Sequence, residues 1–253
     1  MPASPTTAIV REPGENLARG LTTAGLGPPD PRLALAQHRA YCDVLRESGL
    51  EVVVLPADPR HPDGCFVEDT AVILGEVAVI TRPGDPSRRG EEEAVAAVLS
   101  RIRRLIHIPP PGRLDGGDVL QWGDRVYIGR STRTNREGAT QLAEIVSARG
   151  YAASEVPVDA GLHLKTGVTE LGDSRLIAMA AMAARFPSAD VVTVPEDEAH
   201  AANCLRVGDR LLIPGGCPGV HRTLLELGYE VVVVEMSEFQ KMDGGLTCLS
   251  LRF

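Results

Sequence analysis

Short apolar runs recur along this chain in a fixed order. Four hairpin signals mark the recurrence: Leu74-Gly75-Glu76, Trp122-Gly123-Asp124, Leu171-Gly172-Asp173 and Val207-Gly208-Asp209. Each sets an apolar residue, a glycine and an acid between two strand-like runs, which is the chemistry of a tight hairpin turn. The second runs read VAVITRP, RVYIGRS, RLIAMA and RLLIPGG. A helical candidate follows each of them, roughly Arg89 to Arg103, Arg136 to Arg149, Ala181 to Phe186 and Val220 to Leu227. One more apolar strand then closes each unit: LIHIP, ASEVPV, DVVTVP and EVVVVEM. The acids Glu91 to Glu93 suit the first turn of the first helix, where they meet the positive end of its dipole.

The repeating unit is therefore strand, strand, helix, strand. A fifth copy assembles from the two ends of the chain: TCLSLRF, then TAIVREP, a helix over Pro31 to Ser48, and EVVVLPA. One such unit cannot bury its own apolar face, whereas five arranged around an axis can. The expected fold class is α/β, with pseudo-fivefold ββαβ repeats and one repeat split between the termini. The 253 residues are expected to make one domain, residues 1–253. An open α/β sheet with the same element order is the plainer alternative.

The first strand of each unit, just before the hairpin, is expected to carry the unusual residues. They are Phe66-Val67-Glu68-Asp69, Leu114-Asp115-Gly116-Gly117-Asp118, Leu162-His163-Leu164-Lys165, Ala202-Asn203-Cys204 and Asp243-Gly244-Gly245-Leu246-Thr247-Cys248. Equivalent positions of equivalent units converge on one axis. Glu68 or Asp69, Asp115 or Asp118, His163, Asn203 and Cys248 are thus expected near a common centre. Such a set permits a metal site. It also permits covalent catalysis by a thiolate, with histidine as acid and base and a carboxylate orienting the histidine. A metal site would call for a second soft or imidazole ligand, and His107, His200 and His221 lie elsewhere in the unit. Surplus carboxylates suit a cationic substrate such as a guanidinium, which they can hold bidentately. Cys42, Cys65, Cys204 and Cys217 read as small buried hydrophobes. The glycines before Cys248 allow close backbone approach, and a plain turn would use them too.

Composition narrows the partners. The net charge of −8 argues against nucleic acid and against an anionic membrane surface. No apolar run nears the ~18 to 20 residues of a membrane span. The N-terminal stretch lacks the basic-then-apolar order of a signal peptide. Five cysteines, an odd number without any C-x-x-C pair, suggest free thiols in a reducing cytoplasm. The expected partner is a small-molecule substrate, and apolar outer strands are compatible with a homodimer.

The chain resembles the dimethylarginine dimethylaminohydrolases, particularly their bacterial form, within the guanidino-group modifying enzymes. The matching stretches are FVED at Phe66 to Asp69, ITRPGDPSRRGE at Ile80 to Glu91, LDGGD at Leu114 to Asp118 and RTN at Arg133 to Asn135. LHLKTG at Leu162 to Gly167, AANC at Ala201 to Cys204 and DGGLTCLSLRF at Asp243 to Phe253 also match. The resemblance implies a five-bladed α/β propeller and hydrolysis of N-omega-methylated arginine to citrulline, without metal or organic cofactor. It implies Cys248 as nucleophile, His163 as acid and base, and Asp115 as the residue that orients His163. Asp63, Glu68 and Asp69 would surround the guanidinium, and Arg88 and Arg133 would bind the substrate carboxylate. Leu21 would sit on a lid loop. Met242, where the family carries Ile or Val, would offer its backbone to the substrate amine. Arginine deiminases and a non-catalytic propeller that binds arginine derivatives are the alternatives.

Overall fold

The computed structural model describes residues 5–159 and 161–253. Their strands form five three-stranded sheets, all built alike. Strands β3 (Ala71–Leu74), β4 (Val77–Ile80) and β5 (Arg104–His107) make one; β6 (Val119–Trp122), β7 (Arg125–Arg130) and β8 (Ala152–Pro157) make the next. Strands β9 (Val168–Gly172), β10 (Arg175–Met179) and β11 (Asp190–Val194) make the third, and β12 (Leu205–Val207), β13 (Arg210–Pro214) and β14 (Glu230–Val234) the fourth. The split sheet joins β15 (Leu251–Arg252), β1 (Thr7–Arg11) and β2 (Glu51–Leu55). In every sheet the first two strands are antiparallel and the third runs parallel to the second. The ββαβ repeat read from the sequence is thus the repeat that forms. The apolar runs sit on the middle strands: β4 is buried throughout and β13 from its second residue on. A middle strand has hydrogen-bonded neighbours on both edges, so it carries near-continuous Val, Leu and Ile.

The hairpins form as expected. Gly75 and Gly208 take positive φ in their turns, as do Asp173 and Ser174 in the third. Two positive-φ residues in succession give the turn a twist that matches that of the strands.

Helix α1 (Pro31–Glu47) ends one residue before the expected Ser48, which is its C-cap. Asp30 caps its start by accepting from the Arg32 and Leu33 N–H groups, and Pro31 opens the first turn. Proline suits that position because its missing N–H would have no partner there. Helix α2 (Glu92–Leu99) is shorter than the run from Arg89 to Arg103, because Gly90, with a φ of 105°, separates it from a turn over Pro86–Arg88. Helix α3 (Arg136–Ser147) starts at Asn135, whose side chain accepts from Gly138 N–H. In the third repeat the helix is Ala180–Ala183, shorter than expected, and in the fourth it is Pro218–Glu226, which starts two residues before the expected Val220 and ends one before Leu227.

One expectation is corrected. Glu68, Asp69, Asp118 and Cys248 lie in short helical turns that precede the first strand, and Asp115, His163 and Asn203 directly flank such turns. The turns are Val67–Thr70, Gly116–Asp118, Leu164–Gly167, the longer Glu196–Ala202, and Thr247–Leu249. A strand would send successive side chains to opposite faces. A tight turn instead brings neighbouring polar groups together.

The chain divides into two compact units, Val67–Lys165 and residues 5–66 with Thr166–Phe253. The first has a core of Leu74, Val79, Leu114, Val126, Ile128, Leu142 and their neighbours. The second contains two clusters, one around Ile9's strand neighbours Ala8 and Val10 with Tyr41, Leu45 and Phe239, the other around Ile177, Leu211 and Leu224. Among the described residues no helix is long and apolar enough to cross a membrane.

Candidate active site

Unit Val67–Lys165 buries an ionic cluster. His163 is 4 % exposed and Asp69, Asp115 and Asp118 are 3 %, 0 % and 0 %. The imidazole Nε2 lies 3.0 Å from Asp115 Oδ2, and Nδ1 lies 3.9 Å from Asp69 Oδ1. Asp115 uses its other oxygen to accept from Gly84 N–H at 2.7 Å. Asp69 accepts from Gly117 N–H at 2.9 Å and from Arg88 Nη1 at 2.6 Å.

The glycine pair of LDGGD makes this approach possible. A Cβ on Gly117 would lie 2.7 Å from His163 Nδ1 and 2.8 Å from Asp69 Oδ1, and one on Gly116 would collide with the Glu68 carbonyl. Close packing of backbone against a polar group is a site where only glycine fits.

The charges set the protonation. Burial works to keep His163 neutral. The charge of Asp69, the hydrogen bond to Asp115 and the charges of Asp118 and Asp115 outweigh it, raising the pKa to about 9. Burial also disfavours the Asp69 carboxylate, but His163, Arg88 and the Gly117 N–H hold it well below the usual carboxylate range. At neutral pH the pair is therefore imidazolium and carboxylate.

Asp69, Asp115 and His163 bring three potential ligand atoms within 4.8 Å of one another. A metal ion there would face the Arg88 guanidinium and displace the proton of an imidazolium. The donor set accordingly fits proton transfer better than metal binding.

The other expected residues of this unit are also placed. Arg88 is 3 % exposed. Its Nε and Nη2 donate to Glu91 and its Nη1 to Asp69, so three of its N–H groups face carboxylates. Arg133 is different: its Nη1 is buried without a hydrogen-bond partner, 4.0 Å from Asp115 Oδ2. Glu68 is 4 % exposed and accepts from Lys165 Nζ at 2.6 Å.

The second unit holds the nucleophile candidate. Four cysteines are buried and Cys248 alone is half-buried. Its Sγ accepts from Gly245 N–H at 3.4 Å. Asn203 grips the preceding residue: its Oδ1 accepts from Thr247 N–H at 2.9 Å and its Nδ2 donates to Thr247 Oγ1 at 3.0 Å. Gly245 packs so tightly that a Cβ would lie 2.5 Å from Asn203 Cγ. The buried Tyr41 hydroxyl donates to Leu246 O and lies 2.7 Å from Ser250 Oγ, fastening the same turn to α1. Burial pushes the Cys204 thiol above the range of free thiols, and Cys42 and Cys217 up to about 11, which suits inert core residues.

Leu21, Asp63 and Met242 come together in this unit. Leu21 N–H donates to both Asp63 carboxylate oxygens, at 3.1 and 3.2 Å. A Cβ on Gly20 would lie 2.5 Å from Asp63 Oδ1 and 3.0 Å from Met242 Cε. The loop after Leu21 is tethered by Thr22 Oγ1 to Lys241 O and by Thr23 N–H to the Asp243 carboxylate.

Sequence reasoning did not single out Lys165, Glu91, Ser131, Thr134 or Tyr41 for the site. The charge of Lys165 two residues after His163 was a usable signal. The hydroxyls of Ser131, Thr134 and Tyr41 give none before the contacts are known.

The family model for N,N dimethylarginine dimethylhydrolase, eukaryotic, matches residues 31–181. The N(G),N(G)-dimethylarginine dimethylaminohydrolase of Pseudomonas aeruginosa is 41% identical over 249 residues, 97% of this chain and 98% of that protein. The protein of the same name from Streptomyces coelicolor is 41% identical over 254 residues, 97% and 96% of the two. The solved structure of a mutant of the Pseudomonas aeruginosa enzyme complexed with citrulline superimposes with a TM-score of 0.97 at 39% identity, over 99% of this chain and 100% of that one. A dimethylarginine dimethylaminohydrolase adduct with S-methyl-L-thiocitrulline gives 0.96 at 40% identity, over 98% and 100%. Matched at this identity over nearly its whole length, the chain belongs to the dimethylarginine dimethylaminohydrolase family.

Proposed function

We propose that this chain hydrolyses N-omega,N-omega-dimethyl-L-arginine, and its monomethyl analogue, to L-citrulline and the methylated amine. Cys248 is the nucleophile, His163 the acid and base, and Asp115 the residue that orients His163. The observation that carries this reading is His163, buried among three carboxylates with Nε2 3.0 Å from Asp115 Oδ2, surroundings that raise its pKa to about 9. A delocalised guanidinium is a poor electrophile and an amide-like amine is a poor leaving group. A proton donor that stays charged at neutral pH answers the second difficulty.

The steps follow from that. The Cys248 thiolate attacks the guanidinium carbon and forms a C–S bond. His163 gives its proton to the substituted nitrogen, the C–N bond breaks, and dimethylamine leaves. A covalent thiouronium remains on Cys248. Neutral His163 then takes a proton from water, the hydroxide adds to the same carbon, and the C–S bond breaks to release citrulline and the thiolate. Asp115 stabilises the imidazolium whenever it forms, as the carboxylate of a triad does.

Asp63, Glu68 and Asp69 supply negative charge for the guanidinium. Arg88 and Arg133 supply positive charge for the substrate carboxylate. The Nη1 of Arg133, which has no hydrogen-bond partner, supports that reading most directly, since a buried donor without a hydrogen bond gains most from a charged acceptor. Leu21 and Met242 complete the substrate contacts, Leu21 from the tethered loop. No metal or organic cofactor enters these steps, and the chain acts as one catalytic domain in the cytoplasm, with a homodimer compatible with it.

The test is a citrulline assay on dimethylarginine, monomethylarginine and arginine. Methylated substrates should be turned over with far higher kcat/KM than arginine. Equal efficiency on arginine would make the enzyme a deiminase.

A further inference from the structure

Asp118 takes no part in the steps above, yet it is fully buried within unit Val67–Lys165. Its Oδ1 accepts from Leu164 N–H at 2.9 Å, beside His163. Its Oδ2 accepts from the hydroxyls of Ser131 and Thr134, both at 2.6 Å. Those hydroxyls pass the connection on. Thr134 Oγ1 accepts from Asp115 N–H at 3.2 Å. Ser131 Oγ accepts from the N–H groups of Arg133 and Thr134 at 3.0 and 3.2 Å. One carboxylate is thus linked, through at most two hydrogen bonds, to the backbone of Asp115, of Arg133 and of Leu164 beside His163. β7 makes room for it: a Cβ on Gly129 would lie 2.6 Å from Asp118 Oδ1 and 2.9 Å from Leu164 Cβ.

The network requires an acceptor-only side chain. Both hydroxyl hydrogens point to Asp118, because the hydroxyl lone pairs are engaged by backbone N–H groups. An amide could keep its carbonyl oxygen toward both hydroxyls only by setting its NH2 group against Leu164 N–H, donor against donor, and in the other orientation the NH2 group would face the two hydroxyls. The charge matters as well: burial raises the Asp118 pKa against the pull of His163 and its three donors, and the carboxylate adds to the field of Asp69 and Asp115 around the imidazolium. Burial of such a network is costly unless every member is satisfied, which is what makes it specify one geometry.

We propose that Asp118 is a positioning residue that holds His163, Asp115 and Arg133 in register through Leu164, Thr134 and Ser131. The proposal rests on the hydrolytic reading above. It separates the three links: Asp118 through Leu164 and Thr134 governs the chemical step, and Ser131 governs substrate binding through Arg133.

The test compares Asp118→Asn, Thr134→Val and Ser131→Ala with the wild type and with Cys248→Ser. Folded enzyme is counted by the amplitude of the cooperative unfolding transition, which Cys248→Ser also reports, so that a loss of folded protein does not register as a loss of rate. Misplacement of a proton donor by a fraction of an ångström should lower kcat per folded molecule of Asp118→Asn by about tenfold or more. It should also shift the His163 limb of its pH–rate profile to lower pH. Thr134→Val should lower kcat with little change in KM, and Ser131→Ala should raise KM more than it lowers kcat. Wild-type kcat and an unmoved pH limb in Asp118→Asn would overturn the proposal, whatever its melting temperature. If Asp118→Asn does not fold, unchanged kcat and KM in the two hydroxyl variants would overturn it. Turnover by Cys248→Ser would instead refute the hydrolytic reading, and silence of Cys248→Ser beside a normal Asp118→Asn would refute the positioning role alone.

Discussion

Replacing Asp115 by Asn probes the buried acid directly. The carboxylate is fully buried and accepts from Gly84 N–H through Oδ1 and faces His163 Nε2 through Oδ2 at 3.0 Å. Asn retains the first contact with its carbonyl oxygen. Its NH2 group then faces Nε2, where it favours an unprotonated nitrogen. The lost contact is a hydrogen bond between charged groups, with a net value of about 1.5–3 kcal/mol. At about 1.4 kcal/mol per pKa unit, the variant should lower the His163 pKa by roughly 1–2 units. From about 9, the titration would move close to pH 7–8. The measurement is 15N NMR of the His163 imidazole, in a Cys248→Ser background so that the thiol does not titrate nearby. Activity of the single variant should fall most steeply on the alkaline side, where the remaining proton donor is lost. A His163 midpoint equal to or higher than that of the wild type would refute the reasoning.

Two further outcomes follow from the same geometry. Arg133→Ala removes the cation whose Nη1 lacks a hydrogen-bond partner and pairs with Asp115 only at 4.0 Å, so KM for dimethylarginine should rise by about tenfold to a hundredfold with a smaller change in kcat, in line with the loss of a buried charge-assisted contact; an unchanged KM would remove the clamp role. Stability should peak near pH 6.5: His163, raised from 6.5 to about 9, contributes stability that is complete below 6.5 and lost as pH rises to 9, while His38, lowered to about 4 chiefly by burial, contributes stability lost as pH falls from 6.5 to 4. Urea midpoints across pH 4–9 measure this, and His163→Gln should flatten the alkaline limb; an unflattened limb in that variant would contradict it.

The repeat was legible because its signals are local. Gly-acid turns, Asp30 with Pro31, and apolar runs such as EVVVV each reflect a backbone preference that acts over a few residues. The turns that carry the polar residues were not legible as turns. Three or four residues, as in Thr247–Leu249 or Val67–Thr70, give no periodicity, and the same letters read equally well as a strand. The common phase of Asp69, Asp115 and His163 survived that error, because it depends on position in the repeat and not on local conformation. The pairings did not follow from sequence. That Arg88 faces Asp69 and Glu91, that Lys165 faces Glu68, and that Asp118 rather than Asp115 gathers the hydroxyls are outcomes of tertiary packing. LDGGD shows the boundary well. Two adjacent glycines were readable as close approach or as a turn, and the 2.7 Å that a Gly117 Cβ would leave to His163 Nδ1 decides for close approach.

The central claim is a covalent intermediate on Cys248, and rapid acid quenching tests it most directly. Enzyme mixed with dimethylarginine, quenched during turnover and digested, should yield a Cys248 peptide that carries citrulline less one water, which is the thiouronium. The adduct should be absent from Cys248→Ser and should accumulate in His163→Gln when an activated leaving group replaces dimethylamine. An unmodified Cys248 peptide throughout turnover, or citrulline formation by Cys248→Ser, would contradict the account.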